Sequence, residues 1–272
     1  MGNITKVLIV GGGIAGLTAA IALKRRNIES VVVEKNPDWS VYGVGIIQPS
    51  NMLRALRSIG LGDKCLALGR GFNGWRFCDA NGAVLAEAAA YSVAGLGYPA
   101  ANGITRPALH QIFTEAVLNQ GTEVRLGVTI QSLQDDGDGV DVVFTDGKSE
   151  RFDLVVGADG AYSKTRTMLF GGDIQPKYTG QGVWRYNFPR PKDFDWGCMY
   201  FGKKSKAGLV PLTESMMYLF LVTAEDGNRR DHHLHRFQLG AERDLQPSAA
   251  LPRSTEGRAG SVGLRVTDGQ ER

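Results

Sequence analysis

No stretch of this chain reaches roughly 18 uncharged apolar residues, so nothing in it reads as a membrane-spanning helix. Cysteine is scarce: Cys65, Cys78 and Cys198 are odd in number, widely spaced and without a CxxC partner. Such a set builds no disulfide framework and suits a reducing compartment, with the thiols as small core residues. An excess of one charge is missing too. The 31 Lys and Arg against 28 Asp and Glu leave a formal +3, with the basic residues scattered, which argues against a nucleic-acid footprint. The N-terminus MGNITKVLIVGGG enters a strand-like run at once and lacks a signal peptide's cleavage region. Lys6 stands where a myristoylation pattern wants Ser or Thr. Three of the four histidines fall in HHLH at residues 232–235, with no Cys or carboxylate cluster beside them, so a solvated tail is the reading and no metal is expected. These absences leave a cytoplasmic globular protein of 272 residues, enough for one large domain or two modest ones.

Glycine, by contrast, is plentiful, and where it concentrates the chain is most informative. In KVLIVGGGIAGLTAAIALKRRNIESVVVEK, Val7 to Val10 reads as a strand buried on both faces. Gly11, Gly13 and Gly16 then fit G-x-G-x-x-G, with Ala15 in the same loop, and Ile14 to Arg26 has helical spacing and good helix formers. Ser30 to Val33 is a second buried strand, closed by Glu34. The first glycine permits a tight turn, the second lets a pyrophosphate approach the backbone, and the third lets the helix pack close to the strand. Free N–H groups at the helix start favour that anion, and Glu34 can accept hydrogen bonds from a ribose diol. A glycine-rich turn in any α/β protein is the plain alternative. Strand, helix, second strand and terminal acid in this order supply the context that a dinucleotide site requires. The acid favours NAD or FAD over a 2′-phosphorylated ribose.

A third buried strand, Leu154 to Val156, comes in DLVVGADGAYSKTRTML (residues 153–169), followed by a helix capped near Ser163. About 120 residues separate it from the second strand, too many for a compact NAD-binding fold. Between them lie Arg106 at the start of a helix in ITRPALHQIF, and strand-like TEVRLG, TIQSLQDD and VDVVFTDG with turns at Asp136-Gly137 and Asp146-Gly147. Taken with GGGIAG and Glu34, the segments GVGIIQPSNMLRALRSIGLGD (residues 43–63), ITRPALHQIF and VVGADGAYSKTR resemble the FAD-dependent aromatic-ring hydroxylases. These are the single-component flavoprotein monooxygenases of the para-hydroxybenzoate hydroxylase type. The resemblance covers about the first 225 residues.

It implies that FAD is the cofactor and that NAD(P)H visits as a transient co-substrate, since no second G-x-G-x-x-G is present. Glu34, with Lys35 beside it, would hold the adenosine ribose. Gly45, Ile46 and Ile47 would run near the flavin, Arg106 would contact the pyrophosphate or ribityl region, and Ile130 would lie near the adenine. The Asp159 segment is associated with both FAD and NAD(P)H. Arg106 can also be read as a solvated helix-start arginine, although a cation fits that end of the helix dipole poorly. Asp159 can be read as a turn residue of Asp-Gly.

From about residue 174, YTGQGVWRYNFPRP, WGCMYFGKKSKAGLVPL and ESMMYLFLVT read as successive strands. GWRFCDANGAVLAEA reads as a hairpin around Asn81-Gly82 that joins the same layer. In the resembled family such a sheet covers the flavin and forms the substrate pocket. There the reduced flavin and O2 give a C4a-hydroperoxide that hydroxylates an electron-rich ring, and the protein excludes water and orients that ring. Arg185 could pair with a substrate carboxylate or phenolate, and Tyr200 and Tyr218 could hydrogen-bond a phenol oxygen. Each can instead be an ordinary sheet residue, Arg on an exposed face or Tyr in the core with its hydroxyl at the surface. His110, on the helix after Arg106, reads as a packed or surface histidine rather than a base.

The family also carries a C-terminal Gly-Asp-Ala-Ala-His motif whose aspartate binds the ribityl chain, and this chain has none. After about Asn228 the text holds eight arginines and no lysine, and its apolar periodicity disappears. A disordered tail is expected there, through a premature end or a change of reading frame. The fold class is therefore α/β, a Rossmann-type FAD-binding domain (1–70 and 104–173) interleaved with a β-rich substrate domain (71–103 and 174–228), then a tail (229–272). The expected function is NAD(P)H- and O2-dependent hydroxylation of a small phenolic or carboxylated aromatic, with a homodimer as the candidate assembly. Its rivals are a related FAD reductase or halogenase, and a non-catalytic fragment.

Overall fold

The computed structural model describes residues 4–225. The tail at 229–272, with HHLH and the composition shift, lies outside the described residues. Among the described residues, sixteen strands and five helices follow in this order. The first half holds β1 (Lys6–Val10), α1 (Ile14–Lys24), β2 (Glu29–Glu34), β3 (Gly45–Pro49), α2 (Ser50–Ser58), α3 (Gly62–Leu68), β4 (Arg70–Phe72), β5 (Gly74–Asp79), β6 (Val84–Ala89), β7 (Ala101–Thr105) and α4 (Arg106–Asn119). The second holds β8 (Glu123–Leu126), β9 (Ile130–Asp135), β10 (Val140–Phe144), β11 (Ser149–Phe152), β12 (Leu154–Gly157), α5 (Lys164–Phe170), β13 (Gln181–Pro189), β14 (Gly197–Phe201), β15 (Ser205–Pro211) and β16 (Met216–Ala224).

A parallel sheet of order β12-β1-β2-β8 forms the Rossmann unit, so the fold is α/β. Successive side chains of a strand point to opposite faces, and β1 shows what each face meets. Val7 and Ile9 pack with Leu17 and Ile21 of α1, Leu53 of α2 and Phe113 of α4. Leu8 and Val10 pack with Ile130, Val142, Phe144 and Phe152 of the antiparallel sheet β11-β10-β9. Both faces are thus covered, which explains the unbroken apolar run. TEVRLG contributes β8 to this same sheet, a parallel strand beyond the three that the sequence shows. α1 stops at Lys24, two residues before the end expected from its spacing, and Asn27 follows with φ 59°.

The remaining strands build a six-stranded sheet, order β13-β16-β15-β14-β5-β6. The Asn81-Gly82 hairpin forms as expected, with Asp79 Oδ1 accepting from the Asn81 and Ala83 amides and Gly82 at φ 90°. β5 pairs in parallel with β14, which ties residues 74–89 to the later strands in one sheet. A small sheet, β3-β7-β4, connects the two halves. Ile46 packs into the helix-side core, whereas Ile47 packs with Phe72, Val210, Leu212 and Tyr218 against the large sheet. All three cysteines are buried, as small core residues would be, and burial pushes the Cys198 thiol up to about 11.

Candidate functional site

The glycine loop after β1 lies where three chain segments meet. Gly11 has φ 113°, a conformation L side chains rarely adopt, and a Cβ there would stand 2.5 Å from the Ala158 carbonyl oxygen. The Gly157-Ala158-Asp159 turn after β12 therefore presses on the loop, and the Ala158 amide donates to the Val10 carbonyl at 2.8 Å. On the other side Glu34, at the end of β2, accepts from the Gly12 amide at 2.8 Å and from the Asn36 amide at 2.8 Å. Gly13 opens α1 in an extended conformation, and a Cβ built on it meets nothing within 4 Å. The loop is thus braced by β12 and β2 and open at Gly13 and the first free amides of α1, which is the arrangement of an anion cradle.

Arg106 follows β7 as the first residue of α4, whose N-cap Thr105 accepts from the Ala108 amide at 3.2 Å. Its aliphatic stem lies over Gly43, where a Cβ would be 3.0 Å from Arg106 Cδ. Among the described residues no carboxylate pairs with its exposed guanidinium, so the charge is free for a ligand. One turn on, His110 is buried, and its Nε2 stands 3.3 Å from the Gly12 carbonyl oxygen. Burial pushes this imidazole below its ordinary value, and the nearby Arg106 charge adds to that. The Gly12 hydrogen bond and Glu34 oppose the shift. Trp39 Nε1 donates to the same carbonyl at 2.8 Å. The sequence reading passed over Trp39 altogether, and no local pattern marks it.

Asp159 ties its own loop to the start of α5. Its carboxylate accepts from Ser163 Oγ at 2.5 Å, the Thr165 amide at 3.0 Å and Thr165 Oγ1 at 3.1 Å. Burial alone would raise this carboxyl, but those hydrogen bonds outweigh it and hold it below the usual carboxylate range. The Ile130 side chain is buried in the β9–β11 core beside Phe144, so its backbone is what remains to line a ligand. Lys35 is exposed just past Glu34.

Gly45 on β3 faces the large sheet, where a Cβ would be 2.6 Å from Tyr218 Cδ1. Arg185 pairs with Phe220, and Asn187 with Tyr218, so Arg185 and Tyr218 share the sheet face turned toward β3. Tyr200 pairs with Ala207, which pairs with Leu221, so Tyr200 occupies the opposite face with Cys198, Leu209 and Leu219. The register therefore separates two tyrosines that the sequence reading set at one phenol oxygen. Tyr218 is buried, which pushes its phenol up to about 12 against the lowering charge of Arg185. Among the described residues no group hydrogen-bonds its hydroxyl.

Comparison with known proteins agrees with this geometry. The family described as "FAD binding domain" matches residues 4–256, past the end of the described residues. The aurachin C monooxygenase/isomerase of Stigmatella aurantiaca is 29% identical over 266 residues, 96% of this chain and 67% of that protein. The 3-hydroxybenzoate 6-hydroxylase 1 of Aquipseudomonas alcaligenes is 28% identical over 232 residues, 81% of this chain and 58% of that protein. The solved structure of Klebsiella pneumoniae HpxO complexed with FAD and uric acid superposes with a TM-score of 0.73 at 25% identity, covering 88% of this chain and 60% of that one. This chain spans about two fifths to two thirds of the length of the curated relatives it matches. With the glycine loop, Glu34 and the β12 turn brought together on a Rossmann sheet, the chain belongs to the FAD-binding family of aromatic-ring hydroxylases.

Proposed function

We propose that this chain forms the FAD-binding and substrate-facing part of a monooxygenase that hydroxylates a small phenolic or carboxylated aromatic with NAD(P)H and O2. The observation that carries the reading is the meeting of the open Gly13 cradle, Glu34 and the unpaired Arg106 beside β3, the strand against which the large sheet packs. The residues fit FAD: Gly13 and the first amides of α1 would take the pyrophosphate, Glu34 the adenosine ribose, and Arg106 the phosphate or ribityl oxygens. When bound, FAD supplies the redox chemistry.

What this chain's own residues do follows from their positions. The β3 strand, from Gly45 to Ile47, forms the floor on which the flavin would rest. Tyr218 offers an unpartnered hydroxyl from the sheet face opposite that floor, and Arg185 places positive charge on the same face, suited to a carboxylate or phenolate. The apolar side chains around Tyr218, among them Phe220, Val210 and Leu212, exclude water from that side. Tyr200 stands on the other face of the sheet, away from Tyr218 and Arg185. The uric acid and 3-hydroxybenzoate of the relatives' names are ring compounds bearing ionisable oxygens, which supports the substrate class.

The test is the visible spectrum of the purified protein, a titration with FAD, and a screen of phenols for stimulated NAD(P)H oxidation with formation of hydroxylated product. A yellow protein with the two oxidised-flavin bands and substrate-dependent product is expected. A colourless protein that takes up no FAD overturns the proposal. Flavin binding without hydroxylated product returns the chemistry to the reductase alternative.

A further inference from the structure

The glycine loop is held by more than its glycines. Trp39 Nε1 and His110 Nε2 both reach the Gly12 carbonyl oxygen, at 2.8 and 3.3 Å. A carbonyl only accepts, so it selects the His110 tautomer that carries its proton on Nε2. The two rings meet edge to face, with centroids 5.8 Å apart and planes at 89°. Trp39 itself has φ 47°, in the left-handed region that a bulky residue seldom enters. Such a conformation costs on the order of 1 kcal/mol or more and persists where its surroundings over-determine it. Here the indole is fixed against Gly12, where a Cβ would stand 2.7 Å from Trp39 Nε1. The strained residue and the buried histidine thus converge on one peptide oxygen from segments that are far apart in sequence.

The consequence follows from peptide geometry. The Gly12 carbonyl and the Gly13 amide belong to one planar trans unit, so they point in opposite directions. With the carbonyl fastened by two donors, the Gly13 N–H is aimed away from them, and among the described residues nothing accepts a hydrogen bond from it. The preceding peptide is fixed independently, because the Gly12 amide donates to Glu34. We infer that Trp39 and His110 are positioning residues for the anion cradle, holding the Gly12–Gly13 peptide plane so that the Gly13 amide donates to a pyrophosphate. This inference rests on the FAD reading given above. It assigns the two rings no contact with the cofactor. Their effect reaches it only through the peptide plane.

Binding of FAD, ADP and adenosine to the whole chain, measured by calorimetry and flavin fluorescence, tests this without recourse to turnover. Adenosine engages the Glu34 end alone, whereas ADP adds the pyrophosphate. Trp39→Phe and His110→Phe each keep an aromatic ring and delete the donor. Each should weaken FAD and ADP by about tenfold, the worth of one hydrogen bond, and leave adenosine unaltered. His110→Gln, which restores an N–H donor near the Nε2 position, should recover most of the loss. Should one ring variant fail to fold, the other and the His110→Gln rescue still decide the question. Equal losses for ADP and adenosine would show general damage, and unchanged ADP affinity would show that the peptide plane needs no fastening. Either result overturns the inference. A wild-type chain that binds neither FAD nor ADP instead brings down the FAD reading, and this inference with it.

Discussion

Two alanine substitutions three residues apart in the glycine motif should separate folding from cofactor binding. A Cβ on Gly16 would lie 1.9 Å from the Gly11 carbonyl oxygen and 3.1 Å from Ile9 Cγ2. To reach even a 3.0 Å contact the new methyl must retreat by about 1 Å, and the obstacle is backbone. α1 would have to lift off β1, away from the core that Leu17 and Ile21 share with Val7 and Ile9. Alanine gains about 1 kcal/mol of helix propensity over glycine. Overpacking costs about 1–3 kcal/mol or more, and an unyielding carbonyl puts Gly16→Ala at the upper end, a net loss of about 2 kcal/mol. Gly13→Ala meets nothing within 4 Å, at φ −81° and ψ −179°, where any residue is comfortable. A weaker N-cap, by up to about 1 kcal/mol, is offset by about 0.4–1 kcal/mol from the stiffer unfolded chain. Its stability should stay within about 0.5 kcal/mol of the parent, but its methyl fills the cradle. FAD affinity should then fall by about 30-fold or more, the factor that corresponds to some 2 kcal/mol. Urea unfolding and FAD titration on the same preparations give both quantities. If Gly13→Ala folds and binds FAD as the parent does, the pyrophosphate does not sit at Gly13. If Gly16→Ala is as stable as the parent, the close helix–strand contact is wrong.

The other predictions concern single side chains. The Asp159 carboxyl is held below its unfolded value, so its stabilisation is present above that value and is lost as pH falls through the lower, folded one. Asp159→Asn should lose about 1–3 kcal/mol at neutral pH and converge with the parent in acid, read from melting temperature against pH; parallel curves would refute the assignment. His110, which Glu34 and Arg106 face, has a folded value pushed below the ordinary value of about 6.5. The unfolded chain therefore takes the proton first as pH falls, and stability declines through that range; His110→Gln should flatten the decline, and an unchanged slope would contradict it. Tyr218→Phe removes a hydroxyl without a described partner, so stability should shift by less than about 1 kcal/mol and FAD affinity not at all. Turnover of a phenolic substrate should fall, and unchanged turnover would remove Tyr218 from the pocket.

Legibility followed the range of the interactions. The glycine loop, the Glu34 terminus, the Asn81-Gly82 hairpin and the Ser163 cap are decided by residues close in sequence, and each stands in the structure where the sequence puts it. Trp39 and His110 were invisible as loop anchors because their shared partner, Gly12, lies 27 and 98 residues away. β8 was readable as a strand but not as a member of the parallel sheet, since its place beside β2 depends on α4 carrying the chain across. The side-chain direction of Ile130 was not legible for a related reason. The segment just before β9 does approach Glu34, whose carbonyl accepts from the Val128 amide at 3.1 Å, and the side chain two residues on turns into the core.

The separation of Tyr200 from Tyr218 shows why the substrate side is harder to read than the cofactor side. Alternation along a strand discloses its faces only when one face is wet. In β15 both Leu209 and Val210 are buried, the first under Cys198 and Met217, the second under Phe72 and Tyr218. In β16 both Met217 and Tyr218 are buried as well. An apolar run covered on both sides carries no phase, so it cannot say which tyrosine faces the flavin floor. The phase is supplied by pairing, Asn187 with Tyr218 and Ala207 with Tyr200, and a slip of one residue would exchange the faces. Gly45 fixes the choice, because only a residue without a side chain lets the Tyr218 ring lie directly on β3. A larger residue at Gly45, such as Val, should therefore push the sheet from that floor and impair FAD binding and turnover together, whereas Tyr218→Phe impairs turnover alone.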